Sequence, residues 1–126
     1  MIELISKFIK FSVVGASGLL VDFSITWILK EKFKIQKYVA SGTGFIIAAT
    51  TNYILNRIWT FHSSNPKIIH EYSSFLFISI IGLGINTLVL WILVQIFKKH
   101  FYLSKLIAII VTTLWNFTAN YLFTFR

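Results

Sequence analysis

The sequence has no cysteine, a single proline and only four acidic residues. Without cysteine it can form no disulfide, zinc–thiolate centre or thiol nucleophile. Charged residues make up 13% of the chain, about half the share of a soluble globular domain. The chain has twelve Lys and Arg residues against those four acids, so its net charge is +8, although 56% of the residues are hydrophobic. A composition that is both apolar and basic is typical of a small integral membrane protein with cations at the membrane edges.

Four long segments carry almost no charge, and Asp22 is the only charged residue inside them. They cover residues 11–29, 38–56, 72–97 and 106–125. A membrane-spanning helix needs about 20 mainly apolar residues, and these segments are close to that length or longer. Since their polarity does not alternate as in a transmembrane barrel, we predict an all-α polytopic membrane protein with four transmembrane helices. Residues 1–126 are predicted to form one membrane domain.

The connections between these segments, at 30–37, 62–71 and 98–105, are too short to hold an enzyme domain. We expect the first helix to stay uncleaved, preceded by a short interfacial turn over residues 1–8. The three histidines lie in the connections without metal-ligand spacing, and no catalytic triad or phosphate-binding glycine loop is present. We therefore expect no catalytic residue, metal or cofactor, and the protein is not expected to be an enzyme.

The two halves of the chain match each other without a gap when residues 1–62 are aligned with 65–126. The identical pairs include Gly18/Gly82, Trp27/Trp91, Phe33/Phe97, Asn52/Asn116, Asn56/Asn120, Thr60/Thr124 and Phe61/Phe125. Apolar composition alone does not produce repeated Trp and Asn in one register. We predict two tandem helical hairpins related as a parallel internal repeat.

Asp22 is the most unusual residue of the first segment, because a carboxylate deep in a membrane costs about 2.5–3.5 kcal/mol to insert. The repeat places Asn86 at the same depth, and Lys105 could reach toward that level from the start of the fourth segment. These residues either line a polar substrate or coupling path, or staple helices together through hydrogen bonds.

A second polar cluster lies at the ends of the second and fourth segments. Asn52 and Asn56 share one helical face, and Asn116 and Asn120 repeat the arrangement. Arg57 and Lys10 lie at the same membrane face as the first pair. Amides, an arginine and lysines suit an anion, and arginine binds phosphate through two parallel hydrogen bonds. The alternative is a snorkelling arginine beside asparagines that only join helices.

Four segments together resemble the GtrA-like family: FIKFSVVGASGLLVDF (8–23), TNYILNRIWTF (51–61), FLFISIIGLGINTLVLWIL (75–93) and LWNFTANYLFTF (114–125). The most specific block is N-[FY]-x-x-N-R-x-W-T-F, from Asn52 to Phe61. The second half departs from it, since Tyr121 stands where Arg57 would be repeated.

The resemblance implies a small four-helix protein of the bacterial cytoplasmic membrane that serves cell-surface polysaccharide synthesis. It implies translocation of a polyprenyl-phosphate-linked sugar, beside a membrane glycosyltransferase. Two alternatives stay open: a small multidrug-type proton-coupled exporter using Asp22, and a non-transporting anchor of a glycosyltransferase. The partners expected are the lipid-linked sugar, membrane lipids and further copies of the chain, whereas nucleic acid is not expected because the lysines flank the apolar segments.

Overall fold

A computed structural model describes residues 1–125, apart from the side chain of Tyr102, and within these residues it contains helices and no strands. The helices are α1 Ile2–Trp27, α2 Lys37–Leu55, α3 Ile68–Trp91 and α4 Phe101–Ala119. Each of them continues into a five-residue π-helical turn: Ile28–Lys32, Asn56–Thr60, Ile92–Ile96 and Asn120–Thr124. The predicted all-α polytopic membrane fold is thereby confirmed.

Three of the helices, within the described residues, are long and apolar enough to cross a membrane: Ile2–Lys32, Ile68–Ile96 and Leu103–Thr124. The helix α2 is not among them, because small and hydroxyl-bearing residues such as Ser41, Thr43 and Thr50 lower its hydropathy. A membrane crossing by α2 therefore stays a prediction. The expected interfacial turn over residues 1–8 is wrong, since α1 begins at Ile2 and runs on without a break.

The helix ends share an unusual geometry, which the sequence did not predict. The amide of Phe33 donates to the carbonyl of Ile28, and the amide of Ile35 donates to the carbonyl of Leu29, at 3.3 and 3.0 Å. These wide turns are closed by Lys34 in the left-handed region, with φ 57°. Since the π turns lengthen the helices, the first connection covers only 33–36 and not the predicted 30–37.

The same closure recurs after α2 at His62 and after α3 at Lys98, with φ of 48° and 55°. The amides of Ser63 and Lys99 there donate to the carbonyls of Arg57 and Leu93. A left-handed conformation costs a residue with a Cβ about 1–2 kcal/mol, whereas glycine adopts it freely.

The chain divides into two compact units at Pro66. Hairpin 1, Met1–Pro66, pairs α1 with α2, and hairpin 2, from Lys67 onward, pairs α3 with α4. Buried positions recur at a spacing of 64 residues: Phe11/Phe75, Val14/Ile78, Ala40/Ser104, Tyr53/Phe117, Asn56/Asn120 and Thr60/Thr124. The edge-to-face ring pairs Phe11–Phe61 and Phe75–Phe125 also correspond, with centroids 6.3 and 6.1 Å apart. These matching contacts support the proposed repeat of 1–62 and 65–126.

Glycines allow the two helices of each hairpin to approach closely. A Cβ at Gly44 would lie 2.6 Å from Oδ1 and 2.8 Å from the carbonyl oxygen of Asp22. A Cβ at Gly18 would lie 2.6 Å from the amide nitrogen of Asn52. In hairpin 2, Gly82 meets Asn116 in the same way, at 3.1 Å from its Cγ. Small residues at such seams let helix backbones pack in lipid, where no hydrophobic effect joins helices.

We predict that Gly44→Ala destabilises the protein by about 1–3 kcal/mol, because the new methyl group would overlap the backbone of α1. The matched control is Gly42→Ala, since nothing lies within 4 Å of a Cβ there. That change should be neutral or stabilising by up to about 1 kcal/mol through helix propensity. Thermal unfolding in a mild detergent measures both, and equal effects of the two variants would contradict the close contact.

We also predict that Lys34→Gly stabilises the protein by about 1 kcal/mol, because glycine removes the left-handed strain. Lys32→Gly removes the same charge from within the π turn and should destabilise by about 0.5–1 kcal/mol. The pair separates backbone strain from charge in one unfolding experiment. Destabilisation by Lys34→Gly as large as that by Lys32→Gly would disprove the strained closure.

Candidate functional site

The start of α1 and the π turn after α2 bring cations and aromatic rings together in hairpin 1. Lys10 Nζ lies 5.6 Å from the centre of the Trp59 ring, and Lys7 Nζ lies 6.0 Å from that of Phe61. Arg57 is in the same π turn as Trp59. We call Lys7, Lys10 and Arg57 the cationic end of hairpin 1. The predicted proximity of Lys10 and Arg57 to one end of the α1–α2 pair agrees with this arrangement.

Arg57 is half-buried and bound to the segment that follows its helix. Its Nη2 donates to the carbonyl oxygen of Asn65 at 2.8 Å, and its Nη1 donates to Oγ of Ser63 at 3.4 Å. A guanidinium is planar and carries five N–H groups in a fixed geometry, so these bonds orient the side chain. The turn over 63–65 therefore positions Arg57 at the end of the hairpin.

Asn52 and Asn56 lie on the face of α2 that is turned toward α1. Asn56 is only 1% exposed, and its Oδ1 accepts a 2.7 Å hydrogen bond from the hydroxyl of Thr60, which is itself 1% exposed. Asn52 fits over Gly18, and its Oδ1 is buried with no hydrogen-bond partner among the described residues. The predicted amide face is thus present, but only the side-chain oxygen of Asn56 accepts a hydrogen bond there.

Asn116 and Asn120 occupy the equivalent face of α4 in hairpin 2. Asn120 is 0% exposed, and its Nδ2 donates to the carbonyl oxygen of Asn116 at 2.7 Å. The Oδ1 atoms of both asparagines are buried without a partner in the part of the chain that the structure describes. The Thr124 hydroxyl lies 2.8 Å from that of Ser74 and makes no hydrogen bond to Asn120 Oδ1.

Asp22 is half-buried and lies against α2 in hairpin 1. Its Oδ1 accepts a 3.2 Å hydrogen bond from the hydroxyl of Thr26, one turn along α1, and both groups pack over Gly44. The Thr26 hydroxyl also lies 3.5 Å from the carbonyl oxygen of Ala40. The hydrogen bond between Asp22 and Thr26 thus stays within α1, and both roles considered for Asp22 stay predictions.

The corresponding level of hairpin 2 is polar but differently arranged. Asn86 stands where hairpin 1 has Asp22, and Ser104 stands where it has Ala40. Asn86 Oδ1 and Ser104 Oγ are buried and receive no hydrogen bond from any described residue, Lys105 included. Lys105 itself is exposed on α4. Ser104 and Ser74 did not stand out in the sequence, because isolated serines are common in membrane helices.

These features define a polytopic helical membrane protein whose hairpins carry buried amides and, at one end of hairpin 1, half-buried cations. The chain belongs to the GtrA/DPMS transmembrane domain family, whose sequence model matches residues 10–125. The resemblance identified from the four sequence segments is thereby confirmed. The family is linked to membrane functions that involve polyprenyl-phosphate sugars.

Two relatives extend this comparison. A protein of Pyrococcus furiosus named dolichol-phosphate mannosyltransferase is 28% identical over 109 residues, which cover 86% of this chain. The chain spans only 30% of that relative's length. An uncharacterized membrane protein of Bacillus subtilis, YngA, is 29% identical over 116 residues, which cover 92% of this chain and 77% of the relative.

We predict stability losses of different size for two neighbouring amides. Asn56→Leu should destabilise the protein by about 1–3 kcal/mol, because the buried Thr60 hydroxyl loses its acceptor. Asn52→Leu should cost less than about 1 kcal/mol, because the oxygen that it removes makes no hydrogen bond.

Unfolding in detergent measures both, and Asn56→Leu/Thr60→Val should recover part of the loss, since both partners are then apolar. Equal losses at Asn52 and Asn56 would contradict the hydrogen-bond assignment.

Proposed function

We propose that the protein translocates a polyprenyl-phosphate-linked sugar across the bacterial cytoplasmic membrane in cell-surface polysaccharide or glycan synthesis. The observation that carries the proposal is the cationic end of hairpin 1, where Arg57 and Lys10 lie beside the buried amide face. The name of the Pyrococcus relative, a dolichol-phosphate mannosyltransferase, supports a polyprenyl phosphate as the lipid.

The phosphate would bind at Arg57 and Lys10, both of which are half-buried near the start of α1 and the end of α2. Arginine suits a phosphate because its planar donors match two phosphate oxygens, while a lysine adds a compact charge. Lys10 also lies over the Trp59 ring, which keeps the ammonium group near the helix end. The amides of Asn52, Asn56, Asn116 and Asn120 would offer hydrogen bonds to the remainder of the headgroup.

The polyprenyl tail would lie along the apolar outer surface of the helices, where Leu19, Leu20 and Phe23 are exposed. A path for the sugar would include the polar level of Asp22 and Asn86, with Lys105 as a further contact. Since the sequence contains no ATP-binding motif, movement is expected to run downhill or to be coupled to an ion.

A membrane glycosyltransferase that makes the lipid-linked sugar is the partner we propose. The Pyrococcus relative supports this view, because it is named a mannosyltransferase and the matched region covers only 30% of its length. A second copy of the chain is a further proposed partner, since a 126-residue bundle is thin for enclosing a glycolipid.

We predict that Arg57→Ala reduces translocation at least about tenfold, because a charge-assisted hydrogen bond is worth about 1.5–3 kcal/mol. Arg57→Lys should retain part of the activity, since it keeps the charge and loses the paired donors. The assay uses proteoliposomes that contain labelled polyprenyl-phosphate-mannose or -glucose, and it measures how fast the sugar becomes accessible to an external glycosidase.

Lys37→Ala is the matched control, because Lys37 lies at the other end of hairpin 1, over Tyr38. It should leave the rate unchanged. Normal translocation by Arg57→Ala would exclude the proposed phosphate site. Reconstituted protein that moves neither lipid, while still stabilising a co-expressed glycosyltransferase, would instead support the role of a membrane anchor.

A further inference from the structure

The two hairpins present the same scaffold with opposite chemistry at equivalent ends. A shift of 64 residues places Glu71 at the position of Lys7, Ser74 at that of Lys10 and Tyr121 at that of Arg57. Glu71 is 1% exposed at the start of α3. All three residues of the cationic end are therefore replaced in hairpin 2, by an acid and two hydroxyl-bearing residues.

The backbone at the two amides is nearly identical. Asn56 has φ −68° and ψ −37°, and Asn120 has φ −70° and ψ −37°. Each asparagine opens a π turn with a threonine four residues later. The backbone at the asparagine itself therefore does not account for the different hydrogen bonding.

The cause is Ser74. In hairpin 1, the Thr60 hydroxyl donates to Asn56 Oδ1 at 2.7 Å, because Lys10 offers no acceptor at that position. In hairpin 2, Thr124 instead bonds the hydroxyl of Ser74 at 2.8 Å. Asn120 Oδ1 consequently has no donor among the described residues, although the residue is 0% exposed.

The identity of the unsatisfied atom is fixed by its neighbour. The other end of the Asn120 amide contacts the carbonyl oxygen of Asn116 at 2.7 Å, and only the NH₂ group can donate there. The orphan is thus an acceptor, which a phosphate cannot satisfy. A buried acceptor without a partner costs about 1–3 kcal/mol, so an O–H donor from outside the chain is expected to fill it.

We propose that Asn120 Oδ1 accepts a hydrogen bond from a hydroxyl of the sugar in the lipid-linked substrate, in place of an ordered water that occupies the acceptor when no ligand is bound. This inference rests on the proposed function and assigns Asn120 to the sugar within the headgroup. Ser74 is its positioning residue, because it keeps the Thr124 hydroxyl away from the acceptor.

The test compares apparent Kd values in nanodiscs for short polyprenyl phosphate carrying mannose or glucose and for the same lipid without a sugar. Their ratio is the sugar preference. Asn120→Leu should lower this preference about 3- to 10-fold, as expected for one neutral hydrogen bond, without changing the Kd of the bare lipid.

Ser74→Ala should produce the same loss of preference while leaving Asn120 in place. Without the serine hydroxyl, Thr124 can donate to Asn120 Oδ1 as Thr60 donates to Asn56 Oδ1. The thermal stability of Ser74→Ala should therefore be kept or raised. Thr112→Val is the control on α4, because the Thr112 hydroxyl is bonded to the carbonyl of Ala108 in its own helix.

If both Asn120→Leu and Ser74→Ala keep the sugar preference of the wild-type protein, the inference is overturned. The acceptor would then be bound by structural water only. No preference for either sugar in the wild-type protein would overturn it as well. Arg57→Ala tests the phosphate site separately. It should weaken the binding of all three lipids equally. An unchanged Kd in that arm counts against the proposed phosphate site alone, whereas absence of any lipid binding by the wild-type protein removes both proposals.

Discussion

The close approach of helices in lipid is the constraint on which the rest of the structure depends. Hydrocarbon surrounds an apolar helix as favourably as another helix does, so packing and hydrogen bonds must hold each hairpin together. Gly18, Gly44 and Gly82 meet this requirement by placing a polar side chain of the partner helix directly against the backbone. The polar groups at these seams, Asn52, Asp22 and Asn116, are therefore packing elements as well as members of the predicted site.

This dual role explains why the polar residues do not share a single task. Asp22 and Asn56 have hydroxyl partners within hairpin 1, from Thr26 and Thr60. These hydrogen bonds within the hairpin stabilise it, and they leave fewer acceptors available for a ligand. Asn120 retains a buried acceptor without a donor, so it is the better candidate for contact with something outside the chain.

The sequence predicted the fold class well because lipid permits so few alternatives: an uncharged run near 20 residues long has to become a helix or part of a closed barrel. The positions of the amide faces followed from their spacing, and the family followed from the block around Asn52. The π turns and left-handed closures were missed, since Lys34 and Lys98 carry no glycine signal. The internal pairing at Thr124 was missed too, because Thr60 and Thr124 are identical and differ only in the residue across the hairpin.

Duplication gives a protein two copies of one scaffold and lets single substitutions divide its chemistry. Both hairpins keep the edge-to-face phenylalanine pair and the asparagine face. The three residues of the cationic end are not repeated in hairpin 2. There the Thr124 hydroxyl lies beside that of Ser74, and Asn120 Oδ1 has no donor among the described residues. A phosphate-linked sugar has an anionic part, which suits the cationic end of hairpin 1. It also has a hydroxyl-rich part, which suits the acceptor of Asn120 in hairpin 2. Under the proposed function, the asymmetry between the hairpins, more than their similarity, is the feature that a lipid-linked sugar would recognise.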